Sequence, residues 1–526
     1  MDSFEFGLAA VLVAIAVLNA LAGRIGIPYP IVLVLGGLVL GVLPGVPETE
    51  LDPDLVLFVF LPPLLYAAAY FADVKALRGY ARALSMSAIG LVLVTVVLVA
   101  VVSHYVLELN WPVAFALGAV VSPTDPVAAT SIMRRLGAPR RIVNLVEGES
   151  LVNDATALVA YRAAVAAAVG GTFSLFDASA RFVIAGVGGV ALGLAVGFVI
   201  SEIRRRLDDP LTEITIGLVT GYAAFLPAEQ LHLSGVLAVV TAGLYLGWRS
   251  PEMTSPTTRL QSYAVWGVLT FLLNATLFVL IGLQLPVVLD GLSGQSMPEL
   301  IGYAALVCVV VIGARFAWMF TAPYLIRAID RRPQQRERRV GAAERAVIAW
   351  SGMRGAVSLA TALALPAATD AGAPLPGRNL VVFITFAVVL VTVVGQGLTL
   401  PIVIRRLGVT AGREEEHEVL VARMAASKAA LDEVDKMAAE GWAGEEALNR
   451  ARQYYGQRKR RDAARAGKIE DDGYEEESTI RRQVLLRVYR AERRAIVDLR
   501  NAGQISNEVM HTLERELDLE ETYLEQ

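Results

Sequence analysis

The chain has 526 residues, 55% of them hydrophobic and only 19% charged, with a net charge of −4 and a mean hydropathy of +0.53. So apolar an average over this length excludes an ordinary soluble domain, and no nucleic-acid partner is expected. The single cysteine, Cys308, excludes a disulfide within the chain.

Read from the N-terminus, apolar runs of roughly 20 residues repeat to about residue 410, each long enough to cross a ~30 Å hydrocarbon core. About thirteen such spans are expected. They centre near residues 13, 38, 63, 95, 123, 157, 192, 218, 240, 272, 313, 356 and 391. The first run carries Asp2 and Glu5 where a signal peptide carries Lys or Arg, and it reads as a retained span.

The loops between spans alternate in charge. Arg24, Lys75, Arg78, Arg82, the Arg134–Arg141 group, Arg204–Arg206, Arg249, Arg259 and the Arg331–Arg345 cluster fall on one side. The acidic or neutral loops, such as "GVPETELDPD", "LPAEQLH" and "ATDAGAPLPG", fall on the other. Positive loops stay cytoplasmic, which predicts an N-terminus outside and a C-terminus inside. The expected organisation is a multi-pass cytoplasmic (inner) membrane domain over 1–411 and a charged, helical cytosolic domain over 412–526. An odd number of spans suits two inverted halves of six plus one linking span.

The fifth span, "VAFALGAVVSPTDPVAATSIM", places Thr124 and Asp125 between Pro123 and Pro126. Each proline removes a backbone donor, and Asp125 is disfavoured in helix by the proline after it. An unwound stretch at mid-membrane is predicted, with Thr124, Asp125 and free carbonyls together. Oxygen groups of this kind suit small hard cations. The plainer alternative is a bare proline kink.

In the sixth span, "GESLVNDATAL", Glu149, Ser150, Asn153 and Asp154 fall within about 140° of one another on a helix. Such a stripe faces a bundle interior or a water-filled cavity. The alternative is a structural hydrogen-bond patch between helices.

Later polar positions carry weaker signals. Asn274 either shapes a cavity or pairs with a neighbouring helix. Glu213 and Glu229 lie near span ends and read as interfacial; His104 and His232 are also near ends, with no metal-ligand spacing between them. The stretch "AVIAWSGMRGAVSLATALALP" sets Arg354 in an apolar run between Gly352 and Gly355. A guanidinium at that depth needs an anion. Glu149 is the expected partner, which leaves Asp125 and Asp154 as spare acids. The alternative is an anionic substrate bound by Arg354, as in an anion or organic-solute carrier.

No HExxH, CxxC, Walker loop, GxGxxG or GxSxG motif occurs, so neither an enzyme nor a cofactor is expected. A carboxylate at depth accepts either a proton or a small cation, and each neutralises it. The empty, charged site is the state that resists crossing the low-dielectric barrier.

The ordered set "SPTDPVAAT", "EGESLVNDATALV", "LSGVLAVVTAGLYLG" and "WSGMRGAVSLATAL" resembles the sodium/proton exchangers of the first monovalent cation:proton antiporter family. The charged tail is similar to that of some bacterial members. The resemblance implies an all-α polytopic fold, with thirteen spans in two inverted six-helix repeats and broken helices crossing at mid-membrane, assembled as a homodimer in the lipid bilayer. It implies exchange of Na⁺, or of Li⁺ or K⁺, for H⁺ by alternating access, in the service of pH homeostasis. Asp154 would be the shared cation and proton site, with Asp125, Thr124 and Ser150 as ligands or shaping groups. Glu149 with Arg354 would be a structural ion pair, and Asn153 would orient its neighbours. The Asn-Asp order at 153–154 is associated with one-for-one electroneutral exchange. Some relatives carry an acid shortly after "LPPLL", where this chain has Tyr66 and Ala67. That departure leaves K⁺ an alternative to Na⁺.

Beyond residue 412 the pattern is of amphipathic helices. The stretch "IRRQVLLRVYRAERRAIVDLR" mixes apolar residues at helical spacing with arginines. It suits binding to acidic lipid, packing on the membrane domain or dimer contacts, with a small solvated helical domain as the plain alternative.

Overall fold

The computed structural model describes residues 2–43, 56–170, 175–207, 209–292, 296–329, 340–410, 413–466, 474–502 and 504–525. The acidic loop at 45–54, the arginines of 331–339 and the tail loop at 467–473 lie outside the described residues. The chain divides into two compact units, Met1–Thr410 and Ala411–Gln526.

The first unit is all-helical among the described residues, apart from one isolated bridge between Ala368 and Pro374. Its helices are α1 (Asp2–Ile25), α2 (Tyr29–Val42), α3 (Leu61–Tyr70), α4 (Val74–Tyr105), α5 (Trp111–Val121), α6 (Pro126–Arg135), α7 (Arg140–Gly170) and α8 (Leu175–Arg204). There follow α9 (Pro210–Gln230), α10 (Gly235–Met253), α11 (Pro256–Leu283), the short α12 (Leu285–Asp290), α13 (Met297–Ile329), α14 (Ala342–Trp350), α15 (Ala356–Leu363) and α16 (Arg378–Leu407).

Among the described residues, seven stretches are long and apolar enough to cross a membrane: α4, α5 with α6, most of α8, α9, α11 with α12, most of α13, and α16. Three shorter apolar helices lie within 9–25, 29–42 and 56–70. The remaining expected positions are filled by α7, α10 and the pair α14–α15, which carry more polar residues. The helix count roughly fits the thirteen spans expected from the sequence.

Helix starts follow a repeated local grammar. Asn110, Asp125, Asp209 and Ser255 each cap a helix through the side chain, and each is followed within two residues by proline. The cap satisfies an orphan N–H, and the proline removes one that would have been orphaned anyway.

Burial sorts the rods into inner and outer. The apolar stretch of α5–α6 is 78% buried and that of α16 is 72%, whereas that of α8 is 17%. Helix α8 therefore presents Val183, Val187, Leu194 and Phe198 outward, as a lipid-facing surface requires. One large hydrophobic cluster joins α2, α4–α7, α11 and α13–α16. A smaller one joins α3, α9 and α10 with Leu151 and Ala155 of α7 and Trp266 of α11.

The second unit contains α17 (Arg413–Glu440), α18 (Glu445–Arg465), α19 (Tyr474–Asn501) and α20 (Asn507–Glu525). Helices α17 and α18 pack as a hairpin, with Arg452 bonded to Asp435 at 3.0 Å. Helices α19 and α20 close around Ile496, Met510 and Leu517, with Arg493 bridging Asp518 and Glu521.

Candidate ion-binding site

Two helices are interrupted, and the interruptions meet. The first lies at residues 122–125 between α5 and α6, as the two prolines predict; the second lies at 351–355 between α14 and α15. The Asp125 N–H donates to the Met353 carbonyl at 2.8 Å, so one break is stitched to the other through backbone. Helices α5 and α14 thus end here with carbonyls that lack partners within the helix, while α6 and α15 begin here with amides that lack them. Both signs of helix-end partial charge converge on one place.

Each sign has its own counter-group. The Arg354 guanidinium donates to the Val121 carbonyl at 3.0 Å and to the Gly352 carbonyl. Its backbone N–H donates to Thr392 Oγ1 at 3.0 Å, from a π-helical turn in α16 (Val391–Gln396). Asp125 caps α6, its Oδ1 accepting from the Val127 N–H at 2.9 Å.

Helix α7 is tied to the first break by two hydrogen bonds. Ser150 Oγ donates to the Thr124 carbonyl at 2.8 Å, and Asn153 Nδ2 donates to Thr124 Oγ1 at 2.9 Å. The Asn153 Oδ1 is buried without a partner among the described residues.

The polar stripe of α7 splits between two environments. Glu149 turns inward and forms a buried, two-pronged pair with the Arg315 guanidinium of α13; the side chains are 5% and 2% exposed. Arg315 Nε also donates to the Ile348 carbonyl at 3.2 Å. The expected pairing of Glu149 with Arg354 is therefore corrected. Arg354 sits within the second break, next to the carbonyl ends it neutralises, and α13 supplies the cation for Glu149. An arginine in the middle of "VVVIGARFAWMF" is the available signal, since charges within spans are expensive and need partners.

Two glycines make room for this arrangement. A side chain at 352 would run into Arg315 Cδ and Nε, and one at 355 would run into the Asp125 carboxyl group. The Gly-Met-Arg-Gly spacing thus leaves space on either side of Arg354 for one cation and one anion to approach the backbone.

Ser150 and Asp154, one turn apart on α7, face a cavity of about 360 Å³. Its walls are Thr124 and Asp125 of the first break, Gly355–Ser358 at the start of α15, Leu61, Leu64, Leu65, Ala67 and Ala68 of α3, and Thr270 and Asn274 of α11. Arg134 and Glu147, joined at 2.8 Å, also line it, and the arginine side chain is 65% exposed. The cavity therefore extends from the broken helices to the charged ends of α6 and α7.

Asp154 and Asp125 are half-buried, whereas Thr124, Ser150, Asn153, Glu149 and Arg354 are buried. No hydrogen bond or ion pair engages the Asp154 carboxylate among the described residues. On the far side of Asp154 lies a small pocket of about 20 Å³, walled mainly by Leu57, Leu61, Ala119, Val120, Leu158 and Val236. Asp154 sits between an open, partly polar cavity and a nearly closed apolar layer. Arg354 is not part of the cavity wall, so an anion in the cavity would not meet its guanidinium. Ala67 is part of that wall, so α3 offers no carboxylate there.

Other polar residues are redistributed from their expected places. Glu213 is 2% exposed rather than interfacial. It pairs with Arg204, 3% exposed, at 3.3 Å, and accepts from Thr258 Oγ1. A loop position for Arg204 overlooks that α8 and α9 meet end to end there. Glu229 pairs with Arg162 of α7 at 2.6 Å. His104 stacks on Trp111 at 4.1 Å. Asn274 donates to the Thr270 carbonyl of its own helix at 2.8 Å while lining the cavity.

Fold and site together define a polytopic helical membrane protein with two interrupted helices crossed around a buried polar centre. The sequence pattern described as "Sodium/hydrogen exchanger, transmembrane" matches residues 8–406. An uncharacterized Na(+)/H(+) exchanger of Mycobacterium tuberculosis is 36% identical over 99% of this chain and 97% of its own. The Na(+)/H(+) antiporter ApNhaP of Aphanothece halophytica is 35% identical over 77% of this chain and 75% of its own. A sodium, potassium, lithium and rubidium/H(+) antiporter of Bacillus pumilus is 32% identical over 72% of this chain and 57% of its own. The solved sodium proton antiporter MjNhaP1 of Methanocaldococcus jannaschii has the same fold, with a TM-score of 0.60 over 77% of this chain and 99% of its own at 20% identity. The chain belongs to the sodium/hydrogen exchanger family, a family of membrane transporters, and cation/proton exchange is the activity this membership supports.

Proposed function

We propose that the protein exchanges Na⁺ for H⁺ one for one by alternating access, with Asp154 as the shared site. The observation that carries this reading is the Asp154 carboxylate itself: unpaired among the described residues, half-buried, and facing the cavity. An ionised carboxylate in that position lacks much of its hydration, so a proton or a bare cation is a strong substitute for the missing water. Asp125, the Thr124 carbonyl and Ser150 Oγ supply further oxygens beside it. Thr124 is oriented by Ser150 and Asn153.

Charge accounting supports electroneutrality. Glu149 is balanced by Arg315, Arg354 by helix-end carbonyls, and Asp125 by the amide end of α6. Among the described residues, Asp154 remains as the one carboxylate in the cavity with no fixed counter-group. One proton or one monovalent cation neutralises it equally, and either neutral form crosses the barrier more easily than the empty site.

The alternation of basic and acidic loops supports a cytosolic side at the Arg134–Arg141 end, a cytosolic tail and an inward-open state for the described conformation. Exchange of K⁺ or Li⁺ is a second reading, favoured by the named substrates of the Bacillus pumilus relative and by the absence of a carboxylate on the cavity face of α3.

The test is flux in proteoliposomes under clamped voltage, with Na⁺, K⁺ and Li⁺ added in turn against an imposed proton gradient. Cation-driven proton movement without current supports the proposal. Net current without coupling identifies a channel, and dependence on the anion identifies a different carrier.

A further inference from the structure

On α7 the residues Asp154, Leu158 and Arg162 are spaced by four and therefore lie along one face. Eight residues at 1.5 Å each put Arg162 roughly 12 Å beyond Asp154, on the side away from the open cavity. There the Arg162 guanidinium bonds to Glu229 Oε2 at 2.6 Å, at the end of α9. The two side chains are 46% and 28% exposed, and Glu229 Oε1 is buried without a partner among the described residues.

The pair adds a polar tie between α7 and a cluster that α7 otherwise meets through apolar contacts of Leu151 and Ala155. Helix α7 is tied to the crossed breaks through Ser150, Asn153 and Glu149. Helix α9 belongs to the cluster of α3, α9 and α10. Elsewhere α7 and α9 touch only sparsely. Between Asp154 and the ion pair lies the apolar layer that contains Leu158 and Val236. A motion that opens this side to Asp154 by parting α7 from α9 breaks the Arg162–Glu229 bond.

We propose that Arg162 and Glu229 are positioning residues for the exchange reaction. They act as an outer latch that holds α7 against the cluster of α9 while Asp154 is open to the other side. The latch rests on the assignment of Asp154 as the site. It contributes only while the protein is inward-open, so its loss shifts the resting population outward without altering the ligands at Asp154. A partly exposed pair is weak, and its loss is expected to change the inward-to-outward ratio about two- to five-fold.

The experiment uses full-length protein in proteoliposomes of defined orientation, in a Cys308→Ala background, with Val236→Cys as a reporter in the apolar layer. In Arg162→Gln and in Glu229→Gln, a membrane-impermeant thiol reagent added outside is expected to label the reporter thiol about two- to five-fold faster. The outer KM for Na⁺ is expected to fall by a similar factor. The charge-swapped double variant, Arg162→Glu with Glu229→Arg, is expected to return both readouts toward those of the parent. Unchanged labelling and unchanged outer KM in the single variants overturn the latch. So do faster labelling and altered KM that the swap does not reverse, since a merely structural pair would behave in that way. Failure of the Asp154 assignment is read separately: Asp154→Asn would retain coupled flux whatever the latch variants do.

Discussion

The Glu149–Arg315 pair carries a stability that a double-mutant cycle can measure. Both side chains are almost fully buried, so neither bulk screening nor water relieves an unpaired charge. Removing one partner of such a pair costs about 3–5 kcal/mol, because the other charge is left stranded. Arg315→Leu strands Glu149. It also removes a donor from the Ile348 carbonyl, but Ser351 Oγ still donates there at 2.8 Å, so that loss adds little. Glu149→Leu strands Arg315 against a single carbonyl and costs a similar amount. The double variant removes both charges, and replacing a buried pair with apolar residues is often close to neutral. The resulting double-mutant cycle has a coupling energy of several kcal/mol. The same cycle for Glu149 with Arg354, between which no hydrogen bond runs, is expected to give about 1 kcal/mol or less. Reversible unfolding in bicelles, followed by steric trapping, measures both. A larger coupling for Glu149 with Arg354 than for Glu149 with Arg315 would refute the reasoning.

Three further outcomes are expected. Gly355→Ala drives a methyl group into the Asp125 carboxyl and should cut transport at least about tenfold while the protein still inserts; near-normal flux would show that the two breaks can move apart at no cost to the site. Asn153→Ala releases Thr124 Oγ1 and loses about 1 kcal/mol of net hydrogen bonding, which should raise the KM for Na⁺ about fivefold in vesicle flux. Glu213→Ala strands Arg204 in a buried site and should destabilise the protein by about 3 kcal/mol or more in the same unfolding assay while leaving the KM for Na⁺ unchanged; a large KM effect would tie that cluster to the ion path.

Much of the fold is legible in the sequence because membrane spans obey a length rule and breaks obey proline chemistry. Apolar runs mark the spans, and Pro123 and Pro126 mark the interruption at 122–125. The second break contains no proline, and Gly352 and Gly355 alone do not announce it. Their necessity comes from what approaches them in space, namely Arg315 and Asp125. The partner of Glu149 is hidden for a related reason. Periodicity on α7 places Glu149 on the polar stripe but carries no information about which neighbouring helix supplies its counter-charge. Arg315 is easily passed over in a run whose apolar length alone identifies it as a span. Arg204 and Glu213 are misplaced by distance to the span ends, a measure along the chain that is blind to two helix ends burying one another. Asp154 is the most legible of the candidate site residues, because an acid among apolar neighbours is conspicuous in the sequence by itself.

The central claim is that one carboxylate binds either a proton or a cation. Proton release on cation binding to the purified protein, recorded with a pH indicator in weak buffer, tests it directly. The account predicts about one proton displaced per Na⁺ bound when Asp154 starts protonated, and none in Asp154→Asn. Binding of Na⁺ with no proton release in the parent protein, or undiminished release in Asp154→Asn, would contradict it.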